Sequence, residues 1–141
     1  MERKYYHIPT LPAGTTVATV DWNVVPAAQI DTYRWLDGGY EPHAEARLAF
    51  LPGYGFALRM SCVERSPRAI YSGYNEPVYT DSCLEFFAAW AEGSPTHDRR
   101  YMNMEMNARG TLLSCLGTDR HARVPVRDIT GGSIPDVRGE I

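Results

Sequence analysis

Between Tyr101 and Ala108 the chain reads Y-M-N-M-E-M-N-A, an unbroken alternation of apolar and polar side chains. Successive side chains take opposite sides only in an extended strand. Met102, Met104, Met106 and Ala108 therefore line one face, and Tyr101, Asn103, Glu105 and Asn107 the other. A second run, D-S-C-L-E-F-F-A from Asp81 to Ala88, places Leu84, Phe86 and Ala88 on one side and Asp81, Cys83, Glu85 and Phe87 on the other. Arg109-Gly110 then turns the chain into a third strand, Thr111 to Leu116. The pattern predicts an antiparallel sheet with a buried methionine face and a solvated polar face.

The remaining sequence points the same way. Ala44 to Leu51 alternates, with Ala46, Leu48 and Phe50 on one side and Glu45 and Arg47 on the other. Pro52-Gly53-Tyr54-Gly55 follows, and then Phe56 to Glu64, where Phe56, Leu58, Met60 and Cys62 alternate with Arg59 and Ser61. Two such runs around a Pro/Gly turn predict a hairpin. The 12 Gly and 10 Pro are spread along the chain and punctuate it like short strands joined by turns. The best helical segment is Val25 to Leu36, with Ile30, Tyr33 and Trp35 on one side. Trp22 and Trp35 are expected in the core.

At 141 residues, 44% hydrophobic and 22% charged, the chain has the length and composition of one globular domain. A net charge of −3 without a basic run argues against a nucleic-acid partner. No apolar stretch is long enough to span a membrane. The start, Met1 to His7, lacks the apolar core of a signal peptide, so the chain as written is expected in the cytoplasm. Cys62, Cys83 and Cys115, odd in number and widely spaced, fit neither a disulfide framework nor a zinc site. They are expected to be buried, reduced thiols. The four His lie in separate segments and are expected at the surface or in loops.

Pairing the two alternating strands through the connection 89–100 allows two registers. One sets Glu85 opposite Asn103, Cys83 opposite Glu105 and Asp81 opposite Asn107; the other sets Glu85 opposite Glu105. Either way Asp81, Glu85, Asn103, Glu105 and Asn107 gather on one face, with Tyr101 at its rim. Charges on a solvated face often serve solubility alone. Here no Lys accompanies them, and Asn is a poor strand former, so residues placed against propensity invite a functional reading. Carboxylates beside amides suit a polyhydroxylated ligand.

Aromatic rings supply the other half of such a site, since sugar rings present an apolar C–H face. Tyr71, Tyr74 and Tyr79 crowd the loop leading into Asp81, and Trp90 closes the far end of that strand. A catalytic carboxylate pair is less well supported. Asp81 and Glu85 stand roughly 13 Å apart on one strand, beyond the about 5–9.5 Å of glycosidase pairs. Glu85 and Glu105 could meet the shorter distance, but no nucleophile cluster accompanies them. No cofactor is expected. Calcium is the one metal that carboxylates with amide oxygens suggest, although no D-x-D-x-D-G loop is present.

Asp81-Ser82-Cys83-Leu84-Glu85-Phe86-Phe87 and Tyr101-Met102-Asn103-Met104-Glu105-Met106-Asn107-Ala108-Arg109-Gly110-Thr111-Leu112-Leu113 resemble the D-S-C-V-E-F-F and Y-x-N-x-E-x-N-x-x-G-T-x-L signatures of family 9-like carbohydrate-binding modules. Asp21-Trp22 with Val25-Pro26, Val63-Glu64-Arg65 with Pro67-Arg68, and Gly117 to Arg123 are similar to further segments of the family. The resemblance implies an all-β, antiparallel β-sandwich of jelly-roll or immunoglobulin-like layering, related to DOMON-type domains, with a sugar site on one sheet and structural calcium in some members. It covers Asp21 to about Arg123. Residues 1–123 are thus expected to form the module, and 124–141 a loop or tail with the family's last strands absent.

The resemblance implies non-catalytic binding of a mono- or oligosaccharide, linked to carbohydrate catabolism. Asp81, Glu85, Asn103, Glu105, Asn107, Arg68, Arg120, Tyr79, Tyr101 and Trp90 are the candidate contacts. A glycoside hydrolase using Glu85 and Glu105 is one alternative. An assembly domain, its exposed sheet edges covered by a second copy or another chain, is the other. The haem or redox role of some DOMON relatives is disfavoured, because the methionines are assigned to the core face.

Overall fold

The computed structural model describes residues 4–33, 39–89, 99–135 and 137–140. The chain divides into two compact units, residues 1–65 and 66–141, each built on one antiparallel sheet. Two such sheets, of three and four strands, are the content of a β-sandwich and bear out the all-β expectation. Among the described residues no helix is long and apolar enough to cross a membrane.

The first unit orders its strands β1 (Ala28–Ile30), β2 (His43–Leu51) and β3 (Gly55–Val63). β2 and β3 form the expected hairpin, with Phe50 opposite Phe56 and Leu51 opposite Gly55. Gly53 and Gly55 take positive φ of 86° and 114°, which lets so short a loop reverse the chain. The core lies on the side of β2 that carries Arg47: Ala49, Leu51 and Ala57 are buried with Leu11 and Val25, and Val20 and Trp22 pack against them. Arg47 helps to hold that cover, its Nη1 donating to the carbonyls of Trp22 (3.1 Å) and Val25. Phe50, assigned by alternation to the opposite side, is 36% exposed. The segment expected to be helical instead contributes β1, paired with β2 through Gln29 and Glu45. Its Val-Val-Pro opening offers no helical cap, and the edge of β2 supplies hydrogen bonds to an extended chain. Trp35 lies outside the described residues.

The second unit orders β4 (Cys83–Ala89), β5 (Tyr101–Asn107), β6 (Leu112–Asp119) and β7 (Ala122–Pro125). Both runs that alternate in sequence form strands, although β4 begins only at Cys83 and leaves Asp81 and Ser82 in the loop before it, and the register is the second of the two allowed: Glu85 stands opposite Glu105 and Cys83 opposite Asn107. The tail expected to begin as loop at Val124 instead gives Val124 and Pro125 to β7 and continues into the four-residue helix α1 (Val126–Ile129).

Burial is reversed from the expectation. Asn103, Glu105 and Asn107 are 0%, 5% and 3% exposed, while Met102, Met104 and Met106 are only half-buried. Alternation fixes that β5 has two unlike faces and leaves open which is covered. Polar side chains are tolerated inside when they bond one another and the backbone, and on β5 they do.

Candidate functional site

The polar face divides into two parts with different roles. At the Asn107 end the groups hold one another. Asn107 Nδ2 donates to Asp81 Oδ2 and to the Tyr71 carbonyl, both at 2.9 Å. Its Oδ1 accepts from the backbone N–H of Arg109 (3.1 Å) and Thr111 (3.0 Å). The side chain thus closes the β5–β6 turn and ties it to the loop before β4, with its donors and acceptor engaged.

Asp81, whose side chain is fully buried, also accepts from the backbone N–H of Ile70 and Tyr71 at 3.1 Å and from Arg68 Nε at 3.3 Å. Burial opposes the Asp81 charge. The hydrogen bonds from Asn107, the Tyr71 and Ile70 backbone and Arg68 outweigh it and hold the carboxyl below its ordinary range. Asp81, Asn107 and Arg68 therefore form a latch between loop and sheet.

The other part of the face is open. Glu85 on β4 is exposed and directly opposite the nearly buried Glu105 on β5. Glu105 Oε1 accepts from Asn103 Nδ2 at 2.8 Å and lies 3.9 Å from Arg123 Nη1. Burial and the neighbouring Glu105 charge push the Glu85 carboxyl above its usual range, and Arg123 offsets part of this. Asn103 Oδ1 is buried, and among the described residues it has no hydrogen-bond partner.

Beside these groups Phe87, 50% exposed, stacks on Tyr101 with ring centroids 5.9 Å apart and planes at 28°. The two sit diagonally across β4 and β5, since Phe87 pairs with Asn103 and Ala89 with Tyr101. Gly117, opposite Tyr101 on one side and Arg123 on the other, keeps this end of the sheet low. A Cβ there would lie 2.2 Å from the Ala122 carbonyl oxygen and 2.9 Å from Arg123 Cγ, so the missing side chain makes room for the arginine stem.

Of the ten candidate contacts, Glu85, Asn103, Glu105 and Tyr101 come together on this open part, and Asp81, Asn107 and Arg68 form the latch. Tyr79 stands 59% exposed on a short 3-10 turn, Val78–Thr80, and Arg120 is exposed in the turn after β6. Trp90 lies outside the described residues. Tyr74, expected as a loop aromatic, donates its OH to the Ser114 carbonyl and lies under the Arg127 guanidinium at 4.3 Å, a packing role. Two residues belong to the site that the sequence argument did not select. Phe87 was already on the correct side by parity. Arg123 lies on β7, a four-residue strand too short to show an alternation, whereas Arg120, the cation named with the family resemblance, sits in the turn before it.

The thiols fit the inert reading. Burial, with the charges of Glu85 and Glu105, pushes Cys83 up to about 12, and burial raises Cys115 and Cys62. Cys62 is exposed rather than buried. The carboxylates do not fit calcium: Asp81 is ringed by N–H donors and Arg123 faces Glu105. Among the described residues no group of three or more His, Cys, Asp or Glu could hold a metal ion. The linings of a cleft of about 580 Å³ along residues 39–43 and 63–65, and of one of about 500 Å³ beside residues 110–112, 134, 135 and 137, do not include Glu85, Phe87, Tyr101 or Arg123.

Residues 15–132 match the sequence profile of carbohydrate-binding family 9. The match takes in both alternating strands and runs past Arg123 through α1. A 2.70 Å crystal structure of a candidate carbohydrate-binding protein from Bacteroides uniformis ATCC 8492 is similar over 94% of this chain, with a TM-score of 0.70 and 28% identity. This chain spans 64% of that protein's length. No curated protein matches the sequence.

Proposed function

The chain belongs to carbohydrate-binding family 9, and from that premise we propose that it binds a mono- or oligosaccharide, without chemistry, on the open part of the β4–β7 polar face. The observation that carries this reading is the half-exposed Phe87 stacked on Tyr101, immediately beside exposed Glu85 and the Glu105–Asn103–Arg123 group. A sugar ring laid on the Phe87 face places its apolar C–H groups against the aromatic plane. Its edge hydroxyls then meet carboxylate and guanidinium groups that orient it. Stacking supplies affinity, and the charged groups select among hydroxyl patterns.

Calorimetric or NMR titration with a panel of mono- and oligosaccharides tests this, with Phe87→Ala as the diagnostic variant. Saturable binding that falls about tenfold or more in Phe87→Ala is expected, the loss of one aromatic anchor. Absence of binding to every sugar at millimolar concentration overturns the reading.

A hydrolytic reading draws on one feature, the opposition of Glu85 and Glu105, with Cβ atoms about 4.5–5.5 Å apart and the Glu85 carboxyl raised as a general acid requires. Against it, Glu105 is covered and engaged by Asn103, which suits a structural acceptor better than a nucleophile. Lack of turnover of aryl glycosides by the wild-type protein removes it.

A further inference from the structure

The open part of the polar face is unbalanced in charge and in hydrogen-bonding capacity. Its strand positions carry two carboxylates, Glu85 and Glu105, and one cation, Arg123, which stands by Glu105 at 3.9 Å. Arg68 is paired with Asp81, and Arg120 sits in the turn beyond β6. Among the described residues Glu85 forms no ion pair, and it is the exposed member of the two. Separately, among the described residues the buried Asn103 Oδ1 has no donor, although its amide nitrogen is bonded to Glu105. The Asn103 oxygen is sealed from solvent, so the acceptor that a ligand can reach is the exposed Glu85 carboxylate. A ligand that completes this site brings donors and positive charge.

We infer that the saccharide taken by this face is an amino sugar with a free, protonated amine, its ammonium group set against Glu85 and its ring on Phe87. This rests on the saccharide reading above and adds the substrate class. An ammonium group supplies three donors and the missing charge. It also gains from the aromatic face beside it, since cations are attracted to ring planes. A neutral hexose offers hydroxyl donors and leaves the Glu85 charge unmatched. N-acetylation removes the positive charge, and a uronic acid adds a second negative charge next to Glu85.

Titration of the full chain with D-glucosamine, D-glucose, N-acetyl-D-glucosamine and D-glucuronate, at a pH where the amine is protonated, tests the inference. Glucosamine is expected to bind about three- to fivefold tighter than glucose and N-acetylglucosamine, the scale of a partly exposed ion pair, with glucuronate weakest. The preference is expected to shrink at high salt, and Glu85→Gln brings the glucosamine and glucose affinities together. Equal affinities for glucosamine and glucose, or a preference that survives Glu85→Gln, overturn the inference while leaving saccharide binding intact. Binding of none of the four, nor of any other sugar, overturns both readings. The salt dependence needs no variant, so it decides the question even if Glu85→Gln folds poorly.

Discussion

Asn107 Nδ2 donates to the buried Oδ2 of Asp81 at 2.9 Å, and this contact joins the end of β5 to the loop that enters β4. The same nitrogen reaches the Tyr71 carbonyl, which also accepts from Thr111 Oγ1 at 2.8 Å. A poor strand former at the end of β5 is thereby explained by the turn it closes. Two of the ten candidate ligand contacts, Asp81 and Asn107, are partners of each other.

Removing that side chain leaves two backbone N–H groups, a carbonyl and a carboxylate short of a partner in a buried setting. Asn107→Ala is expected to cost about 2–4 kcal/mol, on the scale of buried polar groups left unsatisfied. Chemical denaturation followed by tryptophan fluorescence measures it. A change within about 0.5 kcal/mol, the range of an ordinary surface substitution, contradicts the latch.

Two carboxylates of the face, Asp81 and Glu85, respond to pH in opposite senses. Asp81 is held below its unfolded value, so the native state binds fewer protons as acid is added. Its contribution is present above about pH 4, the unfolded range of Asp, and is lost as pH falls through the lower native value. Glu85 is raised, so it favours the native state when protonated and weakens it as pH rises through the raised value. Glu85→Gln is therefore expected to raise stability at neutral pH, by no more than about 0.5 kcal/mol as an exposed substitution, and to leave it unchanged below about pH 4. Thermal melts across that range check both signs.

Gly117→Ala places a methyl group onto the Ala122 carbonyl oxygen and the Arg123 stem. Backbone must move to admit it, so a loss of about 1–3 kcal/mol is expected, together with weaker saccharide binding as Arg123 leaves Glu105. A variant with wild-type melting temperature and affinity shows that Arg123 does not depend on this gap.

Thiol labelling distinguishes the cysteines. Cys83 is half-buried between negative neighbours and stays protonated, while Cys62 is exposed. An aromatic disulfide reagent at mildly alkaline pH is expected to modify Cys62 first and Cys83 only on unfolding. Mass spectrometry of the native protein that finds Cys83 labelled first refutes the assigned environment.

Much of the architecture was legible in the residues. The alternation in 81–88 and 101–108 named two strands and their side-chain parity, and the Pro/Gly turn at 52–55 named the hairpin. The β1 strand was missed because Ala28–Ile30 has too few residues to show a period, and its conformation is supplied by the edge of β2. Arg123 escaped because β7, at four residues, is likewise too short to show a period.

By itself, then, the sequence determined strands β2 to β6, the antiparallel class, the family and the β4 and β5 side chains that share the polar face, because a two-residue period assigns sides without reference to anything distant. Only the tertiary structure decided which side is covered, which register pairs Glu85 with Glu105, and which polar groups are left with unfilled capacity. Burial and hydrogen-bond satisfaction depend on partners remote in the chain. The sequence pattern sets Asp81 and Glu85 on the same side. The loop at Ile70 and Tyr71 closes one of them, and nothing among the described residues pairs with the other.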